Sequence, residues 1–153
     1  MSRFATTFVA LVVFAGAAMA ADSIKVEPTD FKLSTDIKGA EELVKNDDGK
    51  VSFYAQGTAT AKVNVRADGD YIIIVDASCT EAQKEKAKFT LKIGDTVVKE
   101  NFLLTSEEQK EYKFEVKLKK GETSLSIKFT NDVYKENEYD RNLFVHAVKI
   151  EKK

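Results

Sequence analysis

Tyr112-Lys113-Phe114-Glu115-Val116-Lys117-Leu118 alternates strictly between apolar and charged side chains. A repeat of two places Tyr112, Phe114, Val116 and Leu118 on one side of an extended chain and the charges on the other. That is a strand with one face in a core and one in water. The pattern recurs on either side of this segment. Lys88–Ile93 alternates through Phe89, Leu91 and Ile93, and Ser124–Phe129 through Leu125, Ile127 and Phe129. The opposite faces carry Lys, Glu, Thr and Ser, as half-exposed antiparallel strands require. Tyr71-Ile72-Ile73-Ile74-Val75 is apolar throughout, which predicts a strand covered on both faces. Asp47-Asp48-Gly49, Asp68-Gly69-Asp70, Gly94-Asp95 and Lys120-Gly121-Glu122 each separate two apolar runs, where Gly or Asp suits a tight reversal. Further strands over Ile24–Val26, Val51–Ala55, Ala59–Arg66, Thr96–Leu104 and Leu143–Ile150 bring the total to about nine, at the spacing of an antiparallel β-sandwich. Gly39–Val44 and Thr80–Lys86 are the helical candidates, read as short edge turns. No internal repeat or low-complexity linker divides the chain, so a single all-β domain is expected.

Composition removes several classes of function. The 153 residues carry 24 basic and 25 acidic side chains, a formal net charge of -1, so bulk electrostatics offer nucleic acid no purchase. One Cys rules out an internal disulfide framework, and one Cys with one His rules out zinc sites of the finger, ribbon or three-histidine kind.

The first twenty residues, MSRFATTFVALVVFAGAAMA, read as a secretory signal. Arg3 is the positive n-region, Phe8–Phe14 the apolar stretch, and Ala18-Met19-Ala20 a small-x-small cleavage site before Ala21. The stretch is short for a membrane span and no stop-transfer segment follows. The expected mature domain is residues 21–153, secreted to the periplasm or the exterior and with no membrane partner after cleavage. In an oxidising compartment a lone Cys79 is expected to be a buried small hydrophobe.

One segment departs from the pattern of strands and simple hairpins. Between Phe129 and Leu143 the chain reads Asn131-Asp132-Val133-Tyr134-Lys135-Glu136-Asn137-Glu138-Tyr139-Asp140-Arg141-Asn142. Four carboxylates and three asparagines fall within it. Calcium wants six to eight oxygens, and a loop can aim carboxylates and main-chain carbonyls at one point. The segment lacks the glycine and the terminal glutamate of an EF-hand loop. Taken by composition, it is either a solvated acidic loop or a site for a hard cation.

Phe129-Thr130-Asn131-Asp132, then a short polar loop, then Asp140-Arg141-Asn142-Leu143-Phe144-Val145 resembles the C-terminal signature of calcium-dependent, xylan-binding carbohydrate-binding modules. Gly69-Asp70-Tyr71 with Ala77-Ser78 downstream, and Leu118-Lys119-Lys120-Gly121 before Leu125-Ser126-Ile127, resemble that family's earlier strands more loosely. The likeness runs from Lys62 to Ile150. It implies a jelly-roll β-sandwich that binds polysaccharide, xylan or another glycan with vicinal equatorial hydroxyls, through one functional Ca2+. Two such hydroxyls can replace two waters on a calcium held by protein oxygens. By the same resemblance Asp140 and the carbonyl of Tyr139 are calcium ligands, and Asp132 or Glu136 supplies a second carboxylate, with Glu138 a weaker candidate. Arg141 and Asn142 are expected chiefly to brace the loop. Tyr134 and Tyr139 are candidates to flank a sugar, and Arg141 stays with them and Asp140 among the carbohydrate contacts. The family places Asp after the aromatic-Val pair, for a second, structural calcium. Here His146 stands there, with Glu27 and Asp30 as its N-terminal partners, and histidine is a poor calcium ligand.

A glycosidase needs two carboxylates facing each other across a cleft, and no such pair can be placed along these strands. Nucleophilic catalysis at Cys79 or His146 has no supporting motif. The expectation is a non-catalytic binding module. Its rival is a secreted structural or adhesion β-sandwich that keeps the fold without binding sugar. What separates them is whether the Asp132–Asp140 segment converges its oxygens on one exposed point.

Overall fold

The computed structural model describes residues 23–153. The segment read above as a signal, with its cleavage site at Ala18–Ala20, lies outside these residues.

Among the described residues thirteen strands follow one another: β1 (Ser23–Val26), β2 (Lys32–Ser34), β3 (Val44–Asp47), β4 (Lys50–Phe53), β5 (Gly57–Val65), β6 (Gly69–Cys79), β7 (Lys88–Ile93), β8 (Thr96–Leu103), β9 (Lys110–Leu118), β10 (Gly121–Phe129), β11 (Val133–Lys135), β12 (Tyr139–Arg141) and β13 (Leu143–Lys152). The nine expected strands are all present. The four additional ones, β2, β3, β11 and β12, have three or four residues each, too few to display a period. The two helical candidates resolve as the single 3-10 turn Glu41–Leu43 and a turn closed by reciprocal backbone bonds between Ala82 and Glu85.

The long strands form two antiparallel sheets. One runs β3-β4-β13-β6-β9, with β1 also paired to β13; the other runs β2-β5-β10-β7-β8. Sequence neighbours such as β5 and β6 lie in different sheets, the crossing-over expected of a jelly roll. The inner faces supply the core. Phe89, Leu91, Leu125, Ile127 and Phe129 are wholly buried, with Ile93 and Phe114 nearly so, and Val116, on the edge strand β9, is half-buried. Aromatic rings join the sheets: Phe53 meets Phe129 at 6.3 Å, and Phe114 meets Phe89 edge-on at 6.0 Å and Phe102 at 5.0 Å.

The apolar run on β6 is covered without a third layer. Tyr71, Ile73 and Val75 face the core, while Ile74 faces outward yet is 5% exposed. Its cross-strand neighbours are Lys113 and Lys149, whose aliphatic stems shield it while their ammonium groups stay in water. Cys79 is buried at the end of β6, and its thiol donates to the Ser106 carbonyl at 3.5 Å. Burial raises its pKa, so it packs as a hydrophobe.

Candidate functional site

At one end of the sandwich β10 leads into a small hairpin, β11–β12, before the chain returns along β13. This is the oxygen-rich segment, and it is a regular hairpin after all: Val133 pairs with Arg141, Tyr134 with Asp140, and Lys135 with Tyr139. Glu136, Asn137 and Glu138 form its turn. Asn137 takes a left-handed φ of 59° there, and the Glu138 amide donates to the Lys135 carbonyl at 3.0 Å. Polar side chains on both faces hide the strand period in the sequence.

Alternation along so short a hairpin separates two sets of side chains. Asp132, Tyr134, Asp140 and Asn142 share one face; Val133, Tyr139 and Arg141 share the other. The Arg141 face is saturated. Arg141 is 4% exposed, and its guanidinium donates to the carbonyls of Glu85 at 2.8 Å, Asn131 at 2.6 Å and Ala82. Asn131 extends the clamp: its amide group donates to the Lys86 carbonyl at 2.9 Å, and its carbonyl oxygen accepts from the Lys88 amide at 2.6 Å. Thr80 pins the other end. Its hydroxyl donates to the Asp140 carbonyl at 2.7 Å and accepts from the Asn142 amide at 2.8 Å. The hairpin is thus bolted to the 80–88 loop by groups that a sugar cannot reach.

The Asp132 face is the reverse. Among the described residues four buried side-chain polar atoms have no hydrogen-bond partner, and three of them are Asp132 Oδ1, Asp140 Oδ1 and Asn142 Oδ1. Asn142 lies against Asp140, its amide donating to Asp140 Oδ2 at 3.0 Å. Burial, then the neighbouring Asp140 carboxylate, push the Asp132 carboxyl up to about 6, against the opposing pull of Arg141 and the Val133 amide. Buried, donorless carboxylate and amide oxygens held beside one another are costly unless something cationic completes them. Their all-oxygen chemistry is that of a hard divalent cation, and the residues present fit calcium.

Asp132 and Asp140 open onto a cleft of about 670 Å³ lined also by Ile37, Ala40, Leu43, Lys45, Tyr54, Ala55 and Tyr134. Tyr134 is 65% exposed, and Ile37 and Leu43 are also prominent at the surface. Tyr54 is steadied by the edge-on ring of Phe144 at 5.9 Å, and the Lys45 ammonium sits 5.4 Å from the Tyr54 ring centre.

The expected residues therefore divide. Asp132, Asp140 and Tyr134 come together on the cleft. Glu136 does not join them: it is an exposed residue of the hairpin turn. Glu138, in the same turn, pairs with Lys135 at 2.6 Å. Arg141, expected both as a brace and among the sugar contacts, is turned inward by alternation, and carbonyls occupy its guanidinium. Tyr139 shares that face and does not line the cleft, which leaves its main-chain carbonyl as the candidate group. Sequence reasoning missed Asn142 as an oxygen source, Thr80 as a clamp, and the Tyr54–Lys45 wall. The last two come from segments far away in the chain, so spacing carries no sign of them.

Glu27, Asp30 and His146, the positions that correspond by resemblance to the family's structural calcium, have protein partners. The Glu27 amide donates to the Asp30 carboxylate at 2.8 Å, and the Glu27 carboxylate pairs with Lys25 at 2.5 Å. His146 occupies the irregularity in the β13–β6 ladder and shares a 2.8 Å hydrogen bond with Ser78. Burial pushes the His146 pKa down; Asp76 opposes this and Lys50 adds to it.

The sequence profile of the Ca-dependent, xylan-binding carbohydrate-binding module family, CBM60, matches residues 62–153. The chain belongs to this family. The match takes in both halves of the site hairpin and the strands that carry it. No curated protein matches the chain. Solved modules share the fold of this CBM60 member at low identity. A CBM36 module in complex with calcium and xylotriose is 20% identical, with a TM-score of 0.60 over 83% of this chain and 98% of that one. The CBM36-1 domain of a multidomain xylanase from the hindgut metagenome of Trinervitermes trinervoides is 16% identical, with a TM-score of 0.60 over 84% and 96%. The C-terminal CBM6 of the marine laminarinase LamC from Zobellia galactanivorans is 12% identical, with a TM-score of 0.61 over 86% and 100%. The fold is accordingly that of a carbohydrate-binding module, a jelly-roll β-sandwich.

Proposed function

We propose that this CBM60 member is a secreted, non-catalytic module that binds polysaccharide through calcium held by Asp132 and Asp140. Asn142 Oδ1 and the Tyr139 carbonyl are the further oxygens offered. The observation that carries the reading is the group of buried, donorless oxygens of Asp132, Asp140 and Asn142, the first two of which line an open cleft. Membership of a Ca-dependent, xylan-binding family supports it, as does the likeness to a module solved with calcium and xylotriose. Calcium supplies open coordination positions that vicinal sugar hydroxyls can fill. The chain's own residues do the rest. Arg141, Asn131 and Thr80 fix the hairpin, so both carboxylates are positioned before any ligand arrives. Tyr134 and Tyr54 offer apolar ring surface beside them, a wall suited to sugar C–H faces in a chain with no tryptophan. Secretion rests on the leader-like residues 1–20 and fits a protein that meets polysaccharide and millimolar calcium outside the cytoplasm.

Calorimetric titration of residues 21–153 with xylo-oligosaccharides, in calcium and in chelator, tests the reading. Binding in calcium that disappears in chelator is expected. Binding indifferent to chelator would refute the calcium bridge, and absence of glycan binding in both would favour a structural or adhesion role.

A further inference from the structure

The cleft has a charge asymmetry that a neutral sugar would leave unused. Its lining holds three charged side chains: Asp132, Asp140 and Lys45. Formally these sum to -1, and a bound dication raises the sum to +1. Asp132 and Asp140 then face the ion, and Lys45 is left as the uncompensated charge of the lining. Its position is prepared. The ammonium lies 5.4 Å from the Tyr54 ring centre, and that ring is held by Phe144. Lys45 projects from β3, which is fixed to β4 by four register pairs. Its ion-pair partner is Asp47, outside the lining, at a long 3.6 Å. That carboxylate is already engaged by the Ser52 hydroxyl and also feels Lys50, so its hold on Lys45 is shared. The Lys45 side chain is 50% exposed, which leaves its donors open to a ligand in the cleft.

We infer that Lys45 and Tyr54 form a subsite for the carboxylate of an acidic sugar, so that a polysaccharide bearing uronic acid groups is preferred over a neutral one. The inference rests on the calcium reading above and narrows its substrate class. Charge complementarity selects this occupant. Without calcium the lining repels an anion. With calcium it presents one cation beside an aromatic ring, and a uronate ring offers both a carboxylate and an apolar face to meet them. Ile37 and Leu43 on the same rim add exposed apolar surface beside it.

The test compares three probes by calorimetry in calcium: a neutral xylo-oligosaccharide, the same chain carrying one glucuronic acid branch, and the methyl ester of that branched chain. The ester keeps the shape and removes the charge. Wild type is expected to bind the acidic probe about three- to ten-fold tighter than the ester, the size of one partly exposed charge-assisted contact. The preference should shrink with added salt. Lys45→Gln should bring the acid-to-ester affinity ratio to about one, a ratio read within the variant itself and so independent of any change in its neutral-probe affinity. Equal affinity of wild type for acid and ester, with calcium-dependent binding of the neutral probe intact, overturns the inference and leaves the calcium reading standing. A preference that survives in Lys45→Gln overturns the assignment to Lys45. Failure of all three probes in calcium overturns both.

Discussion

The two faces of the β11–β12 hairpin are built from adjacent residues and are opposites. On the inward face Arg141 spends its donors on three main-chain carbonyls, and Asn131 and Thr80 close what remains. On the outward face Asp132, Asp140 and Asn142 each keep a buried oxygen with no donor. A fold that satisfies one face so fully has the means to satisfy the other. Buried polar atoms without partners are exceptional in proteins, and each costs stability. The contrast separates what the hairpin needs in order to exist from what it holds in readiness.

The strongest way to break that contrast is to attack the saturated side. Arg141→Met removes the buried guanidinium and strands three carbonyls, and should cost about 3–5 kcal/mol, as loss of one partner from a buried charged network does. Denaturant unfolding in chelator measures it. A loss below about 1 kcal/mol would show the clamp to be idle.

A smaller effect of opposite sign is expected on the outward face. In calcium-free buffer Asp132→Asn removes a buried charge that faces a second carboxylate, and should raise stability at neutral pH by about 1 kcal/mol after allowance for solvent screening. The sign follows from linkage. The Asp132 value in the folded protein, about 6, lies above the ordinary carboxylate value. The folded state therefore binds more protons than the unfolded state between these values, and wild type loses stability as pH rises through that window. Asp132→Asn should lose that slope. Calcium should reverse the order, stabilising wild type by about 2.7 kcal/mol at a hundred times its dissociation constant and leaving the variant almost unmoved. Melting curves of both proteins with and without calcium read the crossing; parallel curves would place the ion elsewhere.

Most of the sandwich is legible in the sequence because long strands display their period. Phe89, Leu91 and Ile93 on β7 and Leu125, Ile127 and Phe129 on β10 point inward as alternation requires. The hairpin that carries the site is not legible in that way. Val133–Lys135 and Tyr139–Arg141 have three residues each, with polar groups on both faces. The segment therefore reads as an oxygen-rich loop, and it took pairing of Tyr134 with Asp140 to show which side chains share a face. Asp132 and Asp140 were readable as candidates from residue type and family likeness. Thr80, Tyr54 and Lys45 were not, since only the fold brings them from 50 or more residues away in the chain to the hairpin.

The smallest expected effect concerns His146. Its folded pKa lies below the ordinary histidine value because of burial. The unfolded state thus takes up its proton first as pH falls below about 6.5, and wild type loses stability over that window. His146→Gln keeps a polar partner for Ser78 and should flatten this part of the profile. An unchanged pH profile would show that His146 is already solvated in the folded protein.

Calcium calorimetry on Asp140→Asn tests the central claim most directly. The substitution keeps the size, one carbonyl oxygen and the β12 pairing, but removes the charge that offsets the ion's dehydration. Wild type should bind one calcium and, with it, a xylo-oligosaccharide. The variant should keep its circular dichroism spectrum and show neither heat. Equal calcium and glycan affinity in the variant would contradict the account.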